Sequence, residues 1–309
     1  MLLALTGATG FIGQYLLRQL PQRGYRVRVL LRRPTPVALP ATSAVIGDLA
    51  QPRNMAAALE GVDAVIHSAG LAHRMSGRPE DDYRVLNTEA TIALARVARR
   101  AGVKRFVFLS SIRAQCGSSS DIALTEELPP APTDAYGRSK LAAERGLAEL
   151  DLDWVALRLA VVYGPGAKGN VGQLIRFARS PLPLPLGGLK GRRALLALEN
   201  LTAAIATVLR APDPLRRVLI AADSEALTVA EMIAALRQGL GRRPHVFWLP
   251  PRLVELLLHI GGRHDAYALL AGSLVADASA LRRLGWTPPV ETRAALAGLM
   301  RAGSHHADA

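Results

Sequence analysis

The two side chains best suited to proton transfer are a tyrosine and a lysine four positions apart, Tyr136 and Lys140. A helix is predicted to begin near Asp134, and residues i and i+4 of a helix share one face. A free phenol, with a pKa of about 10, is a poor base at neutral pH, but a neighbouring ammonium stabilises the phenolate. The spacing alone also occurs in surface pairs. Its position, one strand and one loop after Ser110-Ser111, favours a catalytic pair.

A glycine-rich segment near the start of the chain indicates a second kind of chemistry. It runs Thr6-Gly7-Ala8-Thr9-Gly10-Phe11-Ile12-Gly13, between a short apolar run and an amphipathic stretch. Its first glycine permits a tight turn, its second lets backbone amides approach a pyrophosphate, and its third lets the helix pack closely. In this strand-to-helix context the motif predicts dinucleotide binding. The expected contacts are Gly7, Thr9, Gly10, Phe11, Ile12 and Gly13.

The end of the second predicted strand bears on which dinucleotide binds. An acidic residue there accepts the ribose 2′-hydroxyl of NAD, whereas arginine accommodates the 2′-phosphate of NADP. This chain has Arg32 and Arg33 at that point and no acidic residue. NADP(H) is therefore favoured, with NAD(H) as the alternative. Further cofactor contacts are expected after the third and fourth strands, from Asp48, Leu49, His67, Ser68 and Ala69.

The elements that must position these residues follow from the alternation of apolar runs with helical stretches, which is typical of βαβ units. Strands are predicted at residues 2–5, 26–31, 44–46, 64–67, 105–109 and 154–159. Helices are predicted at residues 11–20, 53–60, 83–101 and 135–150. The pattern predicts an α/β fold with a Rossmann-type doubly wound parallel sheet. We expect a dinucleotide-binding domain over residues 1–163 and a smaller C-terminal substrate lobe over residues 164–309, with some of its chain returning to the sheet.

Composition limits the class of protein. The chain has 309 residues, half of them hydrophobic, which suits one large α/β unit with a small lobe. Its apolar stretches are shorter than the roughly 20 residues that a bilayer requires, and its first residues read as a strand. A cytoplasmic protein without membrane contact is expected, and the amphipathic helix near residues 252–260 is expected to pack inside the smaller lobe.

The formal net charge of +13 invites a nucleic-acid interpretation. However, the arginines are spread as single residues or pairs, without a basic run or a nucleic-acid motif. A generally basic surface is the better interpretation, and no nucleic-acid partner is expected. The single cysteine, Cys116, excludes an intrachain disulfide framework, and no metal site is expected.

The motifs together resemble the extended short-chain dehydrogenases/reductases, the NAD-dependent epimerase/dehydratase family, which contains UDP-galactose 4-epimerases and nucleotide-sugar 4-keto reductases. The resemblance covers nearly the whole chain. It rests on the glycine loop, on Phe108-Leu109-Ser110-Ser111, on Tyr136 to Lys140, and on residues 157–166. It implies that Ser111 binds the carbonyl oxygen and Tyr136 exchanges a proton with it, while a hydride passes between substrate and nicotinamide. Lys140 would lower the tyrosine pKa and hold the nicotinamide ribose. Asn87 matches a helix asparagine near the active site, for which a structural role is the alternative.

The resemblance also bears on the substrate. Dehydratases of the family carry a Thr-Asp-Glu type triplet where this chain has Ser111-Ile112-Arg113, so dehydration is not expected. Arg193 falls where the family clamps a nucleotide diphosphate, and Asn170 lies in the loop that offers an asparagine to the sugar nucleotide. These matches imply a UDP-sugar substrate. Ala197 and Asn200 replace the histidine and the acidic residue that are usual in this segment.

The reaction expected from these features is reduction of a UDP-4-keto sugar. A UDP-sugar 4-epimerase is the first alternative. A reductase of a non-nucleotide carbonyl, similar to the dihydroflavonol or hydroxysteroid branches, is the second, and a non-catalytic dinucleotide-binding scaffold is the third. The resemblance further implies a homodimer that pairs through the helix containing Tyr136 and the helix near residues 83–101.

Overall fold

Seven short apolar strands form one parallel sheet in the computed structural model, which describes residues 1–36, 40–71, 79–212, 214–260, 267 and 270–304. The sheet strands are β1 (Leu2–Thr6), β2 (Arg26–Leu31), β3 (Thr42–Val45), β4 (Ala64–His67), β5 (Arg105–Ser111), β6 (Trp154–Leu159) and β10 (Arg217–Ala221). Their spatial order is β10-β6-β5-β4-β1-β2-β3, and every neighbouring pair is parallel. The chain order reverses between β1 and β4, which is where a doubly wound sheet binds its ligand.

Helices cover both faces of this sheet. The helices formed by the described residues are α1 (Phe11–Gln22), α2 (Met55–Ala58), α3 (Glu80–Tyr83), α4 (Ala90–Arg100), α5 (Ala135–Ala148), α6 (Gly169–Arg179), α7 (Leu198–Arg210), α8 (Val229–Gly239), α9 (Pro251–Ile260), α10 (Ser279–Arg283) and α11 (Thr292–Ser304). Alternate strand residues point to opposite faces. Leu3 and Leu5 accordingly join a core with α1 and α7, whereas Ala4 joins a second core with α4 and α5. The predicted Rossmann-type fold is confirmed.

Several predicted boundaries were wrong in instructive ways. The helix predicted at 53–60 shrinks to α2, because Asn54 adopts a left-handed conformation with φ 55° and Gly61 one with φ 67°. The helix predicted at 83–101 is interrupted by a π-helical segment, Arg84–Glu89, between α3 and α4. The strand predicted at 105–109 continues through Ser110 and Ser111, and the third strand begins two residues earlier than predicted, at Thr42.

The second half of the chain adds two small sheets and a third core. Strand β7 (Val161–Tyr163) pairs with β9 (Leu195–Ala197), and β8 (Arg192–Arg193) pairs with β11 (Leu227–Thr228). The third core draws on β7, β9, α6, α8 and α11. One strand of this half, β10, returns to the main sheet beside β6.

A buried polar cluster around Asp223 ties β7, α7 and the residues before α11 together. The Tyr163 hydroxyl donates to Asp223 at 2.9 Å, and the Asn200 amide donates to the same carboxylate at 2.8 Å. Asn200 also exchanges hydrogen bonds with the backbone of Val290. The amide at position 200 is therefore committed to packing, which gives a structural reason for asparagine where the family usually has an acidic residue.

Helix α9 contradicts the expectation that it packs inside the smaller lobe. Val254 is its one fully buried residue, whereas the side chains of Leu253, Leu256, Leu257 and Ile260 are 46–76% exposed. The helix presents a second apolar face to solvent. Among the described residues, no helix is both long enough and apolar enough to cross a bilayer.

Candidate active site

The glycine loop between β1 and α1 forms a narrow cradle. Gly7 has φ +70°, and a Cβ atom added there would lie 2.7 Å from the backbone nitrogen of Ala69. A Cβ at Gly13 would overlap the backbone of Gly7 and Ala8, so this third glycine lets α1 start directly on the loop. The helix cap, Gly10, has no side chain to occupy the first amides of α1. The loop therefore fits a dinucleotide pyrophosphate at the helix N-terminus.

The six predicted loop contacts divide by exposure. Thr9 and Gly10 are exposed at the tip, and Gly7 is half-buried beneath it. Phe11 and Ile12 are half-buried and pack against the first core, where they anchor the start of α1. Gly13 is buried. The tip is thus the part of the loop whose backbone a ligand can reach.

The adenosine end of the predicted cofactor site lies after β2 and β3. Arg32 and Arg33 are both exposed there, and the Arg32 Nη1 atom lies 3.9 Å from the Asp48 Oδ2 atom. Because the ion pair between Arg32 and Asp48 is long and exposed, it is weak, and the Arg32 guanidinium can bind another anion. Next to it opens a cavity of about 410 Å³ lined by Asp48, Ala50, Gln51, Asp81, Asp82, Val85 and Leu86.

His67 was expected beside the cofactor, but its ring is wholly buried beneath that site. The Thr91 hydroxyl donates to the carbonyl of Asn87 at 2.7 Å, so it accepts from the His67 Nε2 atom at 2.9 Å. The His67 Nδ1 atom then accepts from the Thr6 hydroxyl at 2.8 Å. Burial, aided by the charge of Lys140, lowers the pKa of His67 to about 3. Through these two hydrogen bonds the neutral ring, which belongs to β4, connects β1 with α4. Both ring nitrogens are engaged, so neither is free for a ligand.

The ring of His67 supports the backbone that does reach the site. The Thr6 hydroxyl, which donates to His67, accepts from the backbone nitrogen of Ala69 at 3.2 Å. Ser68 and Ala69 are the residues that touch the Cβ position of Gly7. The predicted contacts Ser68 and Ala69 therefore lie against the glycine loop, held in place by His67.

The two serines at the end of β5 have different surroundings. The Ser110 hydroxyl donates to the Glu144 carboxylate at 2.5 Å in the interior. Ser111 points the other way, as alternation along a strand requires, and hydrogen-bonds the Tyr136 hydroxyl. Ser111, and not Ser110, is therefore placed for the catalytic role.

Tyr136 lies in the first turn of α5. Close to it is Arg113, to which the sequence analysis gave no role in the site. Burial raises the pKa of Tyr136 above its usual value, and the hydrogen bond from Ser111 lowers it; the charge of Asp134 raises it further, and the smaller effect of Arg113 opposes that. The Arg113 Nε atom donates at 3.1 Å to Asp134, the residue whose other oxygen caps α5. A basic residue two positions after the catalytic serine was the available signal for Arg113.

Lys140, one turn along α5, is 5% exposed. Its Nζ atom donates to the carbonyl of Leu109 at 3.0 Å and lies 4.5 Å from the centre of the Phe108 ring. Burial lowers the pKa of Lys140 to about 8, against an opposing effect of Glu144. The Lys140 ammonium therefore loses its proton more easily than an ordinary lysine does. It also lies close to Gly70: a Cβ atom added to this glycine would be 3.5 Å from the Lys140 Nζ atom.

Asn87, in the π-helical segment, holds two parts of the site together. Its side-chain oxygen accepts from the backbone of Leu71 at 2.7 Å, and its nitrogen donates to the Ser139 hydroxyl at 3.0 Å. Ser139 donates in turn to the carbonyl of Tyr136 at 2.7 Å. Both ends of the Asn87 amide are engaged, so this arrangement favours the structural role over direct contact with substrate.

The two predicted substrate residues lie in different settings. Arg193 in β8 is half-buried, and its Nη1 atom donates to the carbonyl of Ser118 at 2.8 Å. Burial and then the charge of Arg113 lower the pKa of Arg193, so the two guanidinium groups are near enough for their charges to interact. Asn170 is exposed in the first turn of α6.

Comparison with known proteins agrees with this geometry. Residues 3–221 match the NAD dependent epimerase/dehydratase family, to which the chain belongs. It is an enzyme of the extended short-chain dehydrogenase/reductase type, as the sequence resemblance implied. The chain is 32% identical over 299 residues to a UDP-glucose 4-epimerase of Vibrio cholerae, covering 92% of this chain and 90% of the relative. It is 31% identical over 294 residues to a ceramide reductase of Caulobacter vibrioides, covering 92% and 85%.

Solved structures give the same fold. MoeE5 in complex with UDP-glucuronic acid and NAD has a TM-score of 0.76 at 27% identity, covering 98% of this chain and 99% of MoeE5. A UDP-glucose 4-epimerase of Thermotoga maritima with UDP-glucose has a TM-score of 0.79 at 22% identity, covering the whole of both chains.

Replacing the Tyr136 hydroxyl tests its proton-transfer role. We expect Tyr136→Phe to lower turnover at least about 100-fold, because general acid–base catalysis contributes about that much or more. Calorimetric titration should show cofactor affinity unchanged, since the hydroxyl is not needed to hold the dinucleotide. Tyr25→Phe, which removes a hydroxyl from another half-buried tyrosine, is the matched control. Turnover of Tyr136→Phe within a few-fold of wild type would contradict the assignment.

The lowered pKa of Lys140 predicts a pH effect on stability. With a folded pKa of about 8 and an ordinary value of 10.5, the unfolded chain binds more protons between these limits. Folding is therefore favoured as pH rises through this window. We expect the free energy of unfolding of wild type, relative to Lys140→Met, to rise by about 3 kcal/mol from pH 8 to 10.5. Denaturant titrations across this range measure it, and parallel profiles would show that the lysine is not perturbed.

Proposed function

We propose that the enzyme reduces a 4-keto sugar carried by a nucleoside diphosphate, most simply UDP, with NADPH. The observation that carries the proposal is the Ser111–Tyr136 hydrogen bond, which places a proton donor and an oxygen-binding hydroxyl together at the carboxyl end of β5, with buried Lys140 one turn away. A non-catalytic scaffold has no need of this arrangement.

The diphosphate half of the proposal rests on two guanidinium groups. Arg113 acts electrostatically on Tyr136, and Arg193, from β8, lies near enough to Arg113 for their charges to interact. Paired arginines suit a diphosphate, because each offers a planar fork of donors to phosphate oxygens. MoeE5, which binds UDP-glucose with NAD in one of its structures, supports the same class of substrate.

The residues divide the work as follows. Ser111 would orient the sugar oxygen, and Tyr136 would donate the proton that this oxygen gains on reduction. The nicotinamide, when bound, supplies the hydride. The lowered pKa of Lys140 lets its ammonium return a proton towards the tyrosine between turnovers. The hydrogen bond from Ser111, the largest effect that lowers the pKa of Tyr136, would partly offset the effect of burial on the phenol.

The choice of reduction over epimerisation rests on the cofactor. Arg32 and Arg33 are exposed after β2, where NADP enzymes bind a 2′-phosphate. NADPH is the donor for net reductions, whereas an epimerase keeps its cofactor bound and regenerates it in every cycle. A UDP-sugar 4-epimerase is the competing candidate, favoured by the Vibrio cholerae relative and by structural neighbours that have NAD bound.

Incubation with substrate distinguishes the two reactions. We expect a UDP-4-keto-6-deoxy sugar to consume one NADPH per sugar, and UDP-glucose or UDP-N-acetylglucosamine without reductant to remain unchanged. Formation of the C4 epimer without net cofactor turnover would establish the epimerase instead.

Replacement of Arg193 tests its proposed contact with the diphosphate: Arg193→Gln should raise the KM for the sugar nucleotide about tenfold or more. Arg192→Gln, an exposed neighbour on the same strand, is the control.

A carbonyl substrate without a nucleotide is the remaining candidate, and the ceramide reductase of Caulobacter vibrioides supports it at almost the same identity. Such a substrate has no diphosphate for Arg193 to bind. Reduction of a lipid ketone at a rate that Arg193→Gln leaves unchanged would therefore favour this candidate over the sugar nucleotide.

Replacement of Arg32 tests the proposed preference for NADPH over NADH. We expect Arg32→Asp to shift preference from NADPH towards NADH at least about tenfold, because it removes a 2′-phosphate partner and supplies an acceptor for the 2′-hydroxyl. Competitive titration of the two reduced cofactors measures the shift. Arg26→Asp, at the opposite end of β2, is the matched control. A wild-type enzyme that already prefers NADH would overturn the NADPH proposal.

A further inference from the structure

Six large apolar side chains lie exposed on one region of the second half of the chain. They belong to the segment before α9 and to α9 itself, and they are 45–76% exposed: Phe247, Trp248, Leu253, Leu256, Leu257 and Ile260. We refer to these six residues as the α9 face. Single exposed apolar residues are ordinary, but a contiguous set marks an interaction surface.

The periodicity of α9 separates this face from the side that packs on the protein. Leu253, Leu256, Leu257 and Ile260 follow the spacing i, i+3, i+4, i+7, which gathers them on one side of a helix. Val254, the buried residue, falls outside that set. The helix is therefore apolar on two sides, and packing against the described residues of the chain buries only the side that carries Val254.

The aromatic pair beside the helix is held firmly. Phe247 donates its backbone N–H to the carbonyl of Leu184 at 3.0 Å, and its own carbonyl accepts from Gly187 at 3.0 Å. A Cβ atom at Gly188 would overlap the carbonyl of Leu249, so the two segments lie in direct backbone contact. The side chain of Trp248 is 65% exposed, and it follows a backbone that these hydrogen bonds fix in position.

The charges around the face indicate what covers it. Residues 241–260 contain three arginines, two histidines and one acidic residue, Glu255. Arg242, Arg243 and Arg252 are all exposed. A two-fold contact between two copies would bring the same basic side chains together, which is unfavourable. Anionic lipid headgroups complement them, and exposed tryptophan and phenylalanine suit the boundary between headgroups and acyl chains.

We propose that the α9 face binds the surface of an anionic membrane, with α9 lying in the plane of the interface and its leucines inserted among the acyl chains. Such a helix lies on the bilayer without crossing it. The proposal departs from the expectation of no membrane contact and holds whichever carbonyl substrate the active site takes.

Co-sedimentation of the whole protein with vesicles tests this. The vesicles are pure phosphatidylcholine, or phosphatidylcholine with about one-third phosphatidylglycerol. We expect binding to the anionic vesicles, and partitioning at least about tenfold weaker to the neutral ones. Raising salt from about 0.1 M to about 1 M should weaken binding to the anionic vesicles, because it screens the arginines.

The double variant Leu256→Glu, Leu257→Glu should lower partitioning to anionic vesicles at least about tenfold while leaving turnover of a soluble substrate and the thermal midpoint unchanged. Ile122→Glu, at a site 59% exposed and outside the face, should bind vesicles like wild type. Absence of wild-type binding to anionic vesicles, or equal loss in both variants, would overturn the proposal. A concentration-dependent dimer in sedimentation velocity that the double variant abolishes would assign the face to a second copy instead.

Discussion

The active site depends on how closely α5 docks against the end of β5. Gly137, the residue after Tyr136, leaves no room for a Cβ atom because the carbonyl of Arg113 lies in its place. Asp134 caps the helix through Gly137 at 2.6 Å and binds Arg113 with its other oxygen. One carboxylate thereby sets both the start of the helix and the position of the cation that acts on the phenol. Any loss of this contact would separate Tyr136 from Ser111.

The buried side of α5 is fixed to the sheet by an ion pair between Glu144 and Arg158. Glu144 accepts from Ser110 and forms an ion pair with Arg158, and both members of the pair are almost fully buried. Removing one partner of such a pair typically costs about 3–5 kcal/mol, because the remaining charge stays buried. Ser110 therefore serves the docking of α5, and strand alternation directs Ser111 to the other side, towards Tyr136.

A series of hydrogen bonds connects the backbone that packs on the glycine loop to the first turn of α5. It runs from the backbone of Ala69 through Thr6, His67 and Thr91 to the backbone of Asn87, whose side chain continues to Ser139 and the carbonyl of Tyr136. Among the described residues, no buried side-chain polar atom lacks a hydrogen-bond partner. In a low-dielectric interior a satisfied network of this kind specifies one arrangement, since each unmade bond is costly. The backbone beside the glycine loop and the first turn of α5, which contains Tyr136, are thus positioned by one network of hydrogen bonds.

The local sequence determined the parts of this protein that obey periodicity and spacing. The six predicted strands, the glycine loop and the Tyr136–Lys140 face of α5 follow from short-range rules, because strand and helix periods and glycine sterics act over a few residues. Tertiary structure alone decided which polar groups meet. It paired Ser110 with Glu144, buried the ring of His67 between Thr6 and Thr91, and brought Arg113 beside Tyr136. It also left one side of α9 uncovered, because an amphipathic pattern specifies an apolar face but not the surface that will cover it.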